Sequence, residues 1–291
     1  MIINSSSGTG HDKAVQDRVA EAFKSHGVEA RISLGDSGAE IIKLAEQAAR
    51  SDVDVIVAGG GDGTISSVAA IVVNSDKAFG VLPFGTMNHF AKDLHIPLEL
   101  ADAVATIAGG HESRVDLGEV NGHIFINNSS LGLYPSIVRE REKQQKLGWG
   151  KWPAYLWAAL AVLRRSPFLK VRLSVDGKEL RSRAPFVFIG NNEYHMETFH
   201  VGGRACLDKG ELSLYMTNRT GRWGLIRLAL SAFFGRLHQE KDFLALCTKE
   251  IWIDTKHKRL RVALDGEVTV IEPPLHYRVR PRELRVLTPE N

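Results

Sequence analysis

The chain has 291 residues, of which 44% are hydrophobic and 24% charged, and a formal net charge of +3. This composition is that of a folded globular protein and excludes an intrinsically disordered chain, while the length predicts two domains. No apolar stretch approaches the roughly 20 residues that a transmembrane helix needs. The sequence turns polar at Asn4, so we expect no signal peptide and a cytoplasmic location.

From residue 1 to about residue 110, strand and helix patterns alternate along the chain. Strands are predicted at 1–4, 28–34, 53–57 and 79–82, and helices at 12–26, 38–49, 64–73 and 98–108. Alternating units of this length predict a doubly wound parallel sheet, in which ligands bind beyond the carboxyl ends of the strands.

After residue 110 the pattern changes to short strands joined by tight turns. Asn-Gly or Asp-Gly pairs between β-forming residues predict hairpins at 119–125, 174–180 and 261–271, and helical patterns interrupt them at 134–146, 153–164 and 222–237. The second domain is therefore predicted to be an antiparallel β-sandwich or barrel with inserted helices. We place the domains at 1–117 and 118–291, with the last strands, at about 276–288, as candidates to return to the first domain.

The most informative segment is 58–64, which reads Ala-Gly-Gly-Gly-Asp-Gly-Thr and lies between a predicted strand and a predicted helix. Glycines let the backbone approach a ligand closely, and the amino end of a helix favours a phosphate. Asp62 is unusual there, because a carboxylate repels phosphate unless a cation is also present. The segment therefore predicts phosphoryl chemistry with a metal ion.

Three further segments carry candidate site residues. Residues 4–10 (Asn-Ser-Ser-Ser-Gly-Thr-Gly) and 82–88 (Leu-Pro-Phe-Gly-Thr-Met-Asn) each follow a predicted strand and precede a helix. Because neighbouring parallel strands end at the same edge of a sheet, we expect these loops to lie beside 58–64. Residues 264–267 (Leu-Asp-Gly-Glu) predict a hairpin turn, which is either purely structural or supplies a carboxylate that accepts a proton in phosphoryl transfer.

Together these segments resemble the diacylglycerol kinase catalytic-domain family, which includes bacterial lipid kinases, sphingosine kinases and ceramide kinases. The matching motifs are Asn-x-x-Ser-Gly-x-Gly at 4–10, Gly-Gly-Asp-Gly-Thr at 60–64, Pro-x-Gly-Thr-x-Asn at 83–88 and Asp-Gly-Glu at 265–267. The resemblance extends over nearly the whole chain. It implies an ATP-binding α/β domain, a β-sandwich domain and an active site in the cleft between them. It also implies Mg²⁺-dependent transfer of the γ-phosphate of ATP to a hydroxyl of a membrane lipid.

The resemblance also implies roles for individual residues. Glu267 matches the proton acceptor, with Asp265 beside it, and Asp62 would help to hold the metal through the nucleotide. The residues that would bind the nucleotide are Asn4, Ser7, Gly8, Gly10, Gly60, Gly61, Asp62, Gly63, Thr64, Ile65, Ser66, Gly85, Thr86 and Asn88.

The chain departs from the family pattern at several positions. Ser5 replaces a proline, serines at 66–67 replace Asn-Glu, and His89 replaces an aspartate. Some bacterial members bind a structural Mg²⁺ through an Asp-Gly pair, where this chain has Lys209 before a glycine. Because an ammonium group cannot ligate Mg²⁺, either Asp208 takes over as ligand or that site is absent.

The second half of the chain is predicted to meet a membrane. Residues 1–110 carry eight basic and 14 acidic side chains, whereas residues 111–291 carry 29 and 20, a net charge of +9. The aromatic- and arginine-containing segments 149–157 and 223–237 are either interfacial helices or pack on the sandwich. The resemblance loosely matches 133–143 to headgroup contacts. We expect peripheral, salt-sensitive binding to anionic membranes and no nucleic acid partner. The sequence does not distinguish a monomer from a homodimer.

Three functions are compatible with these motifs. The first is a lipid kinase, whose substrate could be diacylglycerol, phosphatidylglycerol or a sphingoid base. The second is an NAD kinase, because the Gly-Gly-Asp-Gly-Thr block is shared with that class, but the further Thr-Pro-Thr-Gly-Ser-Thr block of NAD kinases is absent. The third is a non-catalytic, nucleotide-binding regulatory homologue. The persistence of both Asp62 and Glu267 favours the lipid kinase.

Overall fold

The chain divides into two compact units in a computed structural model, which describes residues 1–5, 13–132, 169–175, 177–194, 204, 206–217 and 243–290. Unit 1 comprises Met1–Leu117, Cys206–Lys209 and Arg280–Asn291, and unit 2 comprises Gly118–Ala205 and Gly210–Val279. The helices predicted at 134–146, 153–164 and 222–237, and the candidate membrane segments, lie outside the described residues. Within the described part of the chain, no helix is long and apolar enough to cross a bilayer.

Unit 1 contains an open parallel sheet with helices. Its elements are β1 (Ile2–Asn4), α1 (Lys13–Ser25), β2 (Ser33–Gly35), α2 (Gly38–Ala49), β3 (Val55–Gly60), α3 (Asp62–Val72), β4 (Ala78–Pro83), α4 (His89–Asp93) and α5 (Leu100–Gly109). The strands are parallel and lie in the order β2-β1-β3-β4. This arrangement confirms the predicted doubly wound sheet. The order reverses between β1 and β3, which is where sheets of this class bind their ligands.

The helices of unit 1 form where apolar residues recur at helical spacing. In α2, Ile41 and Ala45 are one turn apart and are fully buried. Burial of an isoleucine side chain contributes about 1.5–3 kcal/mol. The helix begins after Ser37, whose hydroxyl accepts the N–H of Glu40 as an N-cap. Local capping and burial therefore agree on where this helix starts and which face it buries.

Two strands of unit 1 differ from the sequence-based prediction. The strand predicted at 28–34 is confined to β2, because it is an edge strand that pairs with β1 over three residues. The strand predicted at 53–57 instead continues through Gly59 and Gly60, which pair with β4. A Cβ at Gly59 would lie 3.0 Å from the Phe84 ring, so this glycine serves packing inside the sheet and not the turn.

Two long strands contribute residues to both units. They are β5 (Glu112–Val120) and β16 (Leu275–Leu287), which pair with each other. Within unit 1, Val286 of β16 pairs with Phe79 of β4 in parallel. The carboxylate of Glu112 receives two hydrogen bonds from the guanidinium of Arg285, at 2.7 and 2.8 Å. The end of the chain is thus part of the unit in which the chain begins.

Unit 2 consists of antiparallel strands. They are β6 (His123–Phe125), β7 (Asn128–Gly132), β8 (Leu169–Val175), β9 (Lys178–Ala184), β10 (Phe186–Asn191), β11 (Leu212–Thr217), β12 (Phe243–Thr248), β13 (Glu250–Asp254), β14 (Leu260–Leu264) and β15 (Glu267–Ile271). One sheet has the order β12-β11-β10-β7-β14-β15, and a second contains β16, β13, β8 and β9 in that order. Their apolar side chains share one core, so the predicted sandwich is confirmed.

The three predicted hairpins are confirmed. The turn between β5 and β6 has Asn121 and Gly122 at φ values of 47° and 85°. The turn between β14 and β15 has Asp265 and Gly266 at 48° and 91°. Positive φ at both central residues is the type I′ turn, whose twist matches that of the strands, and it explains why Asn-Gly and Asp-Gly predict hairpins.

Candidate functional site

The turn between β3 and α3 consists of a single residue, Gly61, which caps the helix without any side-chain hydrogen bond. It lies against a second glycine, because a Cβ at Gly85 would lie 2.6 Å from the Gly61 Cα. A Cβ at Gly60 would lie 2.7 Å from the Cβ of Thr64. The turn at Gly61 and the loop that carries Gly85, between β4 and α4, therefore approach each other through their backbones alone. The amino end of α3 presents main-chain amides that suit a phosphate group.

Asp62 is the first residue of α3, and its Oδ1 accepts the main-chain N–H of His89 at 2.7 Å. His89 in turn is the first residue of α4. The bond to Asp62 does not depend on which side chain residue 89 carries, because its donor is the main-chain N–H. The side chain of His89 itself is exposed. One oxygen of the Asp62 carboxylate is thus committed to the fold.

Asn88 shapes the loop that precedes α4. Its Nδ2 donates to the carbonyls of Pro83 and Gly85, and its Oδ1 accepts the N–H of Gly85. The residue is 4% exposed and has a left-handed φ of 50°. Its side-chain amide bonds the loop itself, which gives Asn88 a positioning role, and its predicted contact with the nucleotide stays a prediction.

The other predicted nucleotide-binding residues differ in what they can offer. Asn4 donates from Nδ2 to the Thr64 hydroxyl at 2.9 Å, which ties the end of β1 to α3. Ile65 is fully buried and its N–H donates to Gly61, so neither group can contact a ligand. Thr86 is exposed on the loop before α4. Residues predicted to contact nucleotide but lying outside the described residues are Ser7, Gly8 and Gly10.

Two further residues predicted to bind the nucleotide are partly accessible. Gly63 and Ser66 lie in α3 and are half-buried. The carbonyl of Gly63 accepts the Ser67 hydroxyl at 2.8 Å. The Ser67 hydroxyl thus bonds within its own helix, at a position where family members usually carry a glutamate.

The carboxylate of Asp265 in unit 2 holds a neighbouring strand connection. Its Oδ1 accepts the N–H groups of Asn127 and Asn128 at 2.8 and 2.9 Å, and its Oδ2 accepts that of Ile126 at 2.8 Å. Both oxygens of the Asp265 carboxylate accept main-chain N–H groups, which gives the side chain a positioning role, and the catalytic role assigned to it from the sequence stays a prediction. Glu267 begins β15 beyond the same turn and is exposed.

Arg204 holds the same strand connection through oxygen acceptors, a role that the sequence does not predict. Its Nη1 donates to the carbonyls of Ile126 and Asn191, and its Nη2 donates to Asn127 Oδ1 at 2.7 Å. The residue is 4% exposed. Residues 126–128 are thus fixed by the Asp265 carboxylate at their N–H groups and by the Arg204 guanidinium at the Ile126 carbonyl and the Asn127 side-chain oxygen. No local pattern around Arg204 could have revealed this, because its partner Ile126 is 78 residues away.

Asp208, the candidate ligand for a structural Mg²⁺, takes part in an ion pair. Its Oδ2 accepts Nη2 of Arg282 at 3.0 Å, so a guanidinium already balances the carboxylate. The main-chain N–H of Arg282 donates to Asp116, whose own N–H donates to the carbonyl of Leu207. This part of unit 1 is held by an arginine ion pair and by backbone hydrogen bonds, and both alternatives for a structural Mg²⁺ near Asp208 stay predictions.

One other group among the described residues could hold a metal. Glu193, Glu211 and Cys247 bring their ligand atoms within 4.8 Å of one another in unit 2. Glu193 and Cys247 are exposed and Glu211 is half-buried. Exposed acidic groups cluster often without an ion, and this group includes none of the predicted site residues.

Comparison with known proteins places these features in a family. Residues 1–120 match the diacylglycerol kinase catalytic domain, and residues 134–288 match the YegS C-terminal NAD kinase beta sandwich-like domain. The chain is 31% identical over 189 residues to a diacylglycerol kinase of Staphylococcus aureus, an alignment that covers 64% of this chain and 58% of that protein. It is 26% identical over 304 residues to an uncharacterized protein of Synechocystis, covering 99% of this chain and 70% of that protein.

The fold has a counterpart among solved structures. A crystal structure of a diacylglycerol kinase from Bacillus anthracis matches with a TM-score of 0.72 at 20% identity, covering 99% of this chain and 95% of that one. At this identity the likeness concerns the fold. The two domain matches occur in the order that the motifs predicted, and the second spans more than half of the chain. The protein therefore belongs to the diacylglycerol kinase family, with a catalytic domain followed by a YegS-type sandwich domain.

Proposed function

We propose that the chain is an ATP- and Mg²⁺-dependent lipid kinase that transfers the γ-phosphoryl group to a hydroxyl of a membrane lipid. The observation that carries the proposal is the glycine turn at Gly61, where the strand order of unit 1 reverses and a helix begins. Membership of the diacylglycerol kinase family supports a kinase. The proposal assigns roles to residues of both units.

The glycine turn fits a nucleotide phosphate. Gly60, Gly61 and Gly85 leave no side chain between the backbone and a ligand, and two of them lack the space for a Cβ. The uncapped amino end of α3 contributes its amides and the positive end of its dipole. These groups would hold the phosphates of ATP in position, which is the main catalytic contribution a protein makes to phosphoryl transfer.

A divalent cation fits beside this turn. Asp62 follows Gly61 and supplies a carboxylate next to the glycine turn. Its Oδ1 accepts the His89 N–H, which leaves Oδ2 for a cation. Bound Mg²⁺ would neutralise charge on the triphosphate. The bond from His89 fixes the orientation of the Asp62 carboxylate.

Glu267 is the proposed proton acceptor. Its exposed carboxylate can take the proton of the lipid hydroxyl as the oxygen attacks the phosphorus. The residue follows a type I′ turn in which Asp265 is held by three main-chain N–H groups. This rigid support limits the positions that the Glu267 backbone can adopt, as a catalytic group requires.

The proposed substrate is a lipid at an anionic membrane surface, which the protein would reach as a peripheral, cytoplasmic enzyme. The name of the Staphylococcus aureus relative makes diacylglycerol the first lipid to test. Phosphatidylglycerol and sphingoid bases are the alternatives. A homodimer would be compatible with this proposal.

A labelling experiment tests the proposal. The purified protein is incubated with radiolabelled ATP, Mg²⁺, NAD and a mixed lipid extract, and the products are separated by chromatography. We expect label in one class of lipid, and the first product to look for is phosphatidic acid formed from diacylglycerol. Label in a phosphorylated NAD would instead indicate an NAD kinase. Binding of ATP without any labelled product would indicate a non-catalytic regulatory protein.

A further inference from the structure

One face of the unit 2 sheet that contains β8 and β9 is strongly basic. Residues with side chains towards the core alternate with exposed ones along most of β8 and along the end of β9 from Arg181 to Ala184. Four exposed cations on this face of the two strands, Lys170, Arg172, Arg181 and Arg183, are called the basic face, and Glu179 is an exposed acid at its margin, opposite Ser174. Alternation alone explains why these residues are polar, but not why all four are cations.

The basic face places like charges directly opposite each other. Lys170 pairs with Arg183 and Arg172 pairs with Arg181 in the antiparallel register of β8 and β9. Like charges at directly opposite positions destabilise a sheet, and alternating signs would have supplied solubility without that cost. Such an arrangement is favourable when an anionic surface faces the cations.

The strand on the other side of β8 contributes acids to this face, and the chain that follows it carries cations. Asp254 of β13 lies opposite Arg172 and is an acid at the edge of the basic face. Because β13 is antiparallel to β8, the chain after Asp254 continues in the direction of Lys170. It carries the exposed Lys256 and Lys258. On the exposed face of β9, β8 and β13 the four cations of the basic face thus lie at one end, while the acids are Asp254 beside Arg172, Glu179 opposite Ser174, and Glu250 further along β13.

An exposed aromatic pair lies further along the same sheet. Trp252 is 41% exposed and stacks on His276, with ring centroids 3.9 Å apart and planes 6° from parallel. Trp252 pairs with Ser174, which lies two residues from Arg172 and on the same face of β8. Tryptophan side chains are enriched at membrane–water interfaces, where their indole rings sit at the level of the headgroups.

We propose that the basic face docks on the anionic headgroups of a membrane, with Trp252 at the margin of the contact. Charge complementarity and the adjacent indole favour a lipid surface as the partner over a nucleic acid. The inference rests on the proposed function, because a lipid kinase must reach its substrate at a bilayer, and it names the surface that does so.

The test compares two double variants. Arg172→Gln with Arg181→Gln removes one facing pair of the basic face, while Lys24→Gln with Lys43→Gln removes the same charge from exposed positions of α1 and α2. Binding is measured by sedimentation with phosphatidylglycerol–phosphatidylcholine vesicles and with phosphatidylcholine vesicles. A cation near an anionic surface changes binding about fivefold, so we expect the first variant to bind phosphatidylglycerol vesicles about 25-fold more weakly.

Several results would overturn the proposal. One is an equal loss of vesicle binding in both double variants, and another is equal binding of the wild type to the two kinds of vesicle. A third is that the variant at Arg172 and Arg181 loses binding to a single-stranded RNA probe but not to vesicles. Thermal unfolding is a check on the fold. The variant Arg172→Gln with Arg181→Gln should melt no lower than the wild type, because it removes a repulsive cross-strand pair.

A second assay separates this proposal from the proposed function. Phosphorylation of a short-chain diacylglycerol in neutral detergent micelles needs no anionic surface, so the variant at Arg172 and Arg181 should retain wild-type activity there. Absence of phosphorylation by the wild type of diacylglycerol, phosphatidylglycerol and a sphingoid base alike would contradict the proposed function, while the vesicle measurements would still decide whether the basic face binds anionic membranes. Loss of micelle activity in the variant would contradict a role in docking alone.

Discussion

The carboxylate of Asp62 accepts the main-chain N–H of His89 at 2.7 Å, which joins the first turn of α3 to the first turn of α4. The same side chain therefore serves the fold with one oxygen and is available to a cation with the other. Structural and chemical roles of this kind can be separated by a substitution that keeps the acceptor oxygen and removes the charge.

Asp62→Asn should keep the fold and lose activity. The amide oxygen can still accept the His89 N–H, whereas the neutral group no longer balances a cation beside the phosphates, so we expect a fall in phosphoryl transfer on the order of 100-fold. Asp62→Ala should in addition lower the free energy of unfolding by about 1 kcal/mol. Kinase assays and urea unfolding measure the two effects, with Asp102→Asn on α5 as the control. Full activity in Asp62→Asn would contradict the cation role.

Gly85→Ala should destabilise unit 1 and weaken nucleotide binding. The added Cβ would lie 2.6 Å from the Gly61 backbone, so the two loops must separate, at a cost of about 1–3 kcal/mol. Gly38→Ala is the matched control, because a Cβ at Gly38 meets nothing within 4 Å. Urea unfolding and binding of a fluorescent ATP analogue report the two effects. Equal stability of both variants would show that the loops tolerate separation.

Asp265 and Glu267 should respond differently to loss of charge. Asp265→Asn replaces one acceptor oxygen by an NH₂ group that faces main-chain donors, so we expect a loss of about 2–3 kcal/mol in unfolding free energy. Glu267→Gln is exposed and should unfold like the wild type. Guanidinium unfolding of the two variants provides the comparison. A stable Asp265→Asn protein would contradict its positioning role.

The ion pair between Glu112 and Arg285 predicts a pH dependence. The hydrogen bond from the Arg285 guanidinium holds the pKa of the Glu112 carboxyl below its ordinary value of 4.5. Because the folded pKa is the lower one, the stabilisation is complete above pH 4.5 and is lost as the pH falls through the folded pKa. Both side chains are about one-third exposed, so the contribution is at most about 1 kcal/mol.

Glu112→Gln should therefore lower the free energy of unfolding at neutral pH by up to about 1 kcal/mol. The difference from the wild type should shrink as the pH is lowered below 4.5. Urea unfolding at a series of pH values measures it, and Glu99→Gln controls for removal of a charge elsewhere in unit 1. A difference that persists at low pH would mean that packing, and not ionisation, is responsible.

Features that follow from local backbone requirements could be predicted from the sequence. Asp265-Gly266 predicted a hairpin because both residues adopt positive φ readily, and the glycine segment predicted a strand-to-helix turn. The end of β3 was misjudged because a glycine in a turn and a glycine under a Phe84 ring look alike in sequence. Only the packing of neighbouring strands distinguishes them.

Roles that depend on distant partners could not be predicted. Asp265 was assigned to catalysis because it is a carboxylate beside Glu267, yet it bonds an N–H group 139 residues away. The side chain of Asn88 bonds the carbonyl of Gly85 in its own loop, and the backbone of Asn88 is left-handed. The motif at 83–88 indicates neither the conformation nor the bond. Arg204 acts through main-chain carbonyls, which have no sequence signature.

The central claim is that the protein is a lipid kinase in which Glu267 accepts the proton of the substrate hydroxyl. The most direct measurement is the rate of phosphate transfer from labelled ATP to diacylglycerol in mixed micelles, by wild type and Glu267→Gln, together with the Kd for ATP. We expect transfer by the wild type, a kcat about 10²- to 10⁴-fold lower in the variant, and an unchanged Kd. Equal rates in the two proteins would contradict the account.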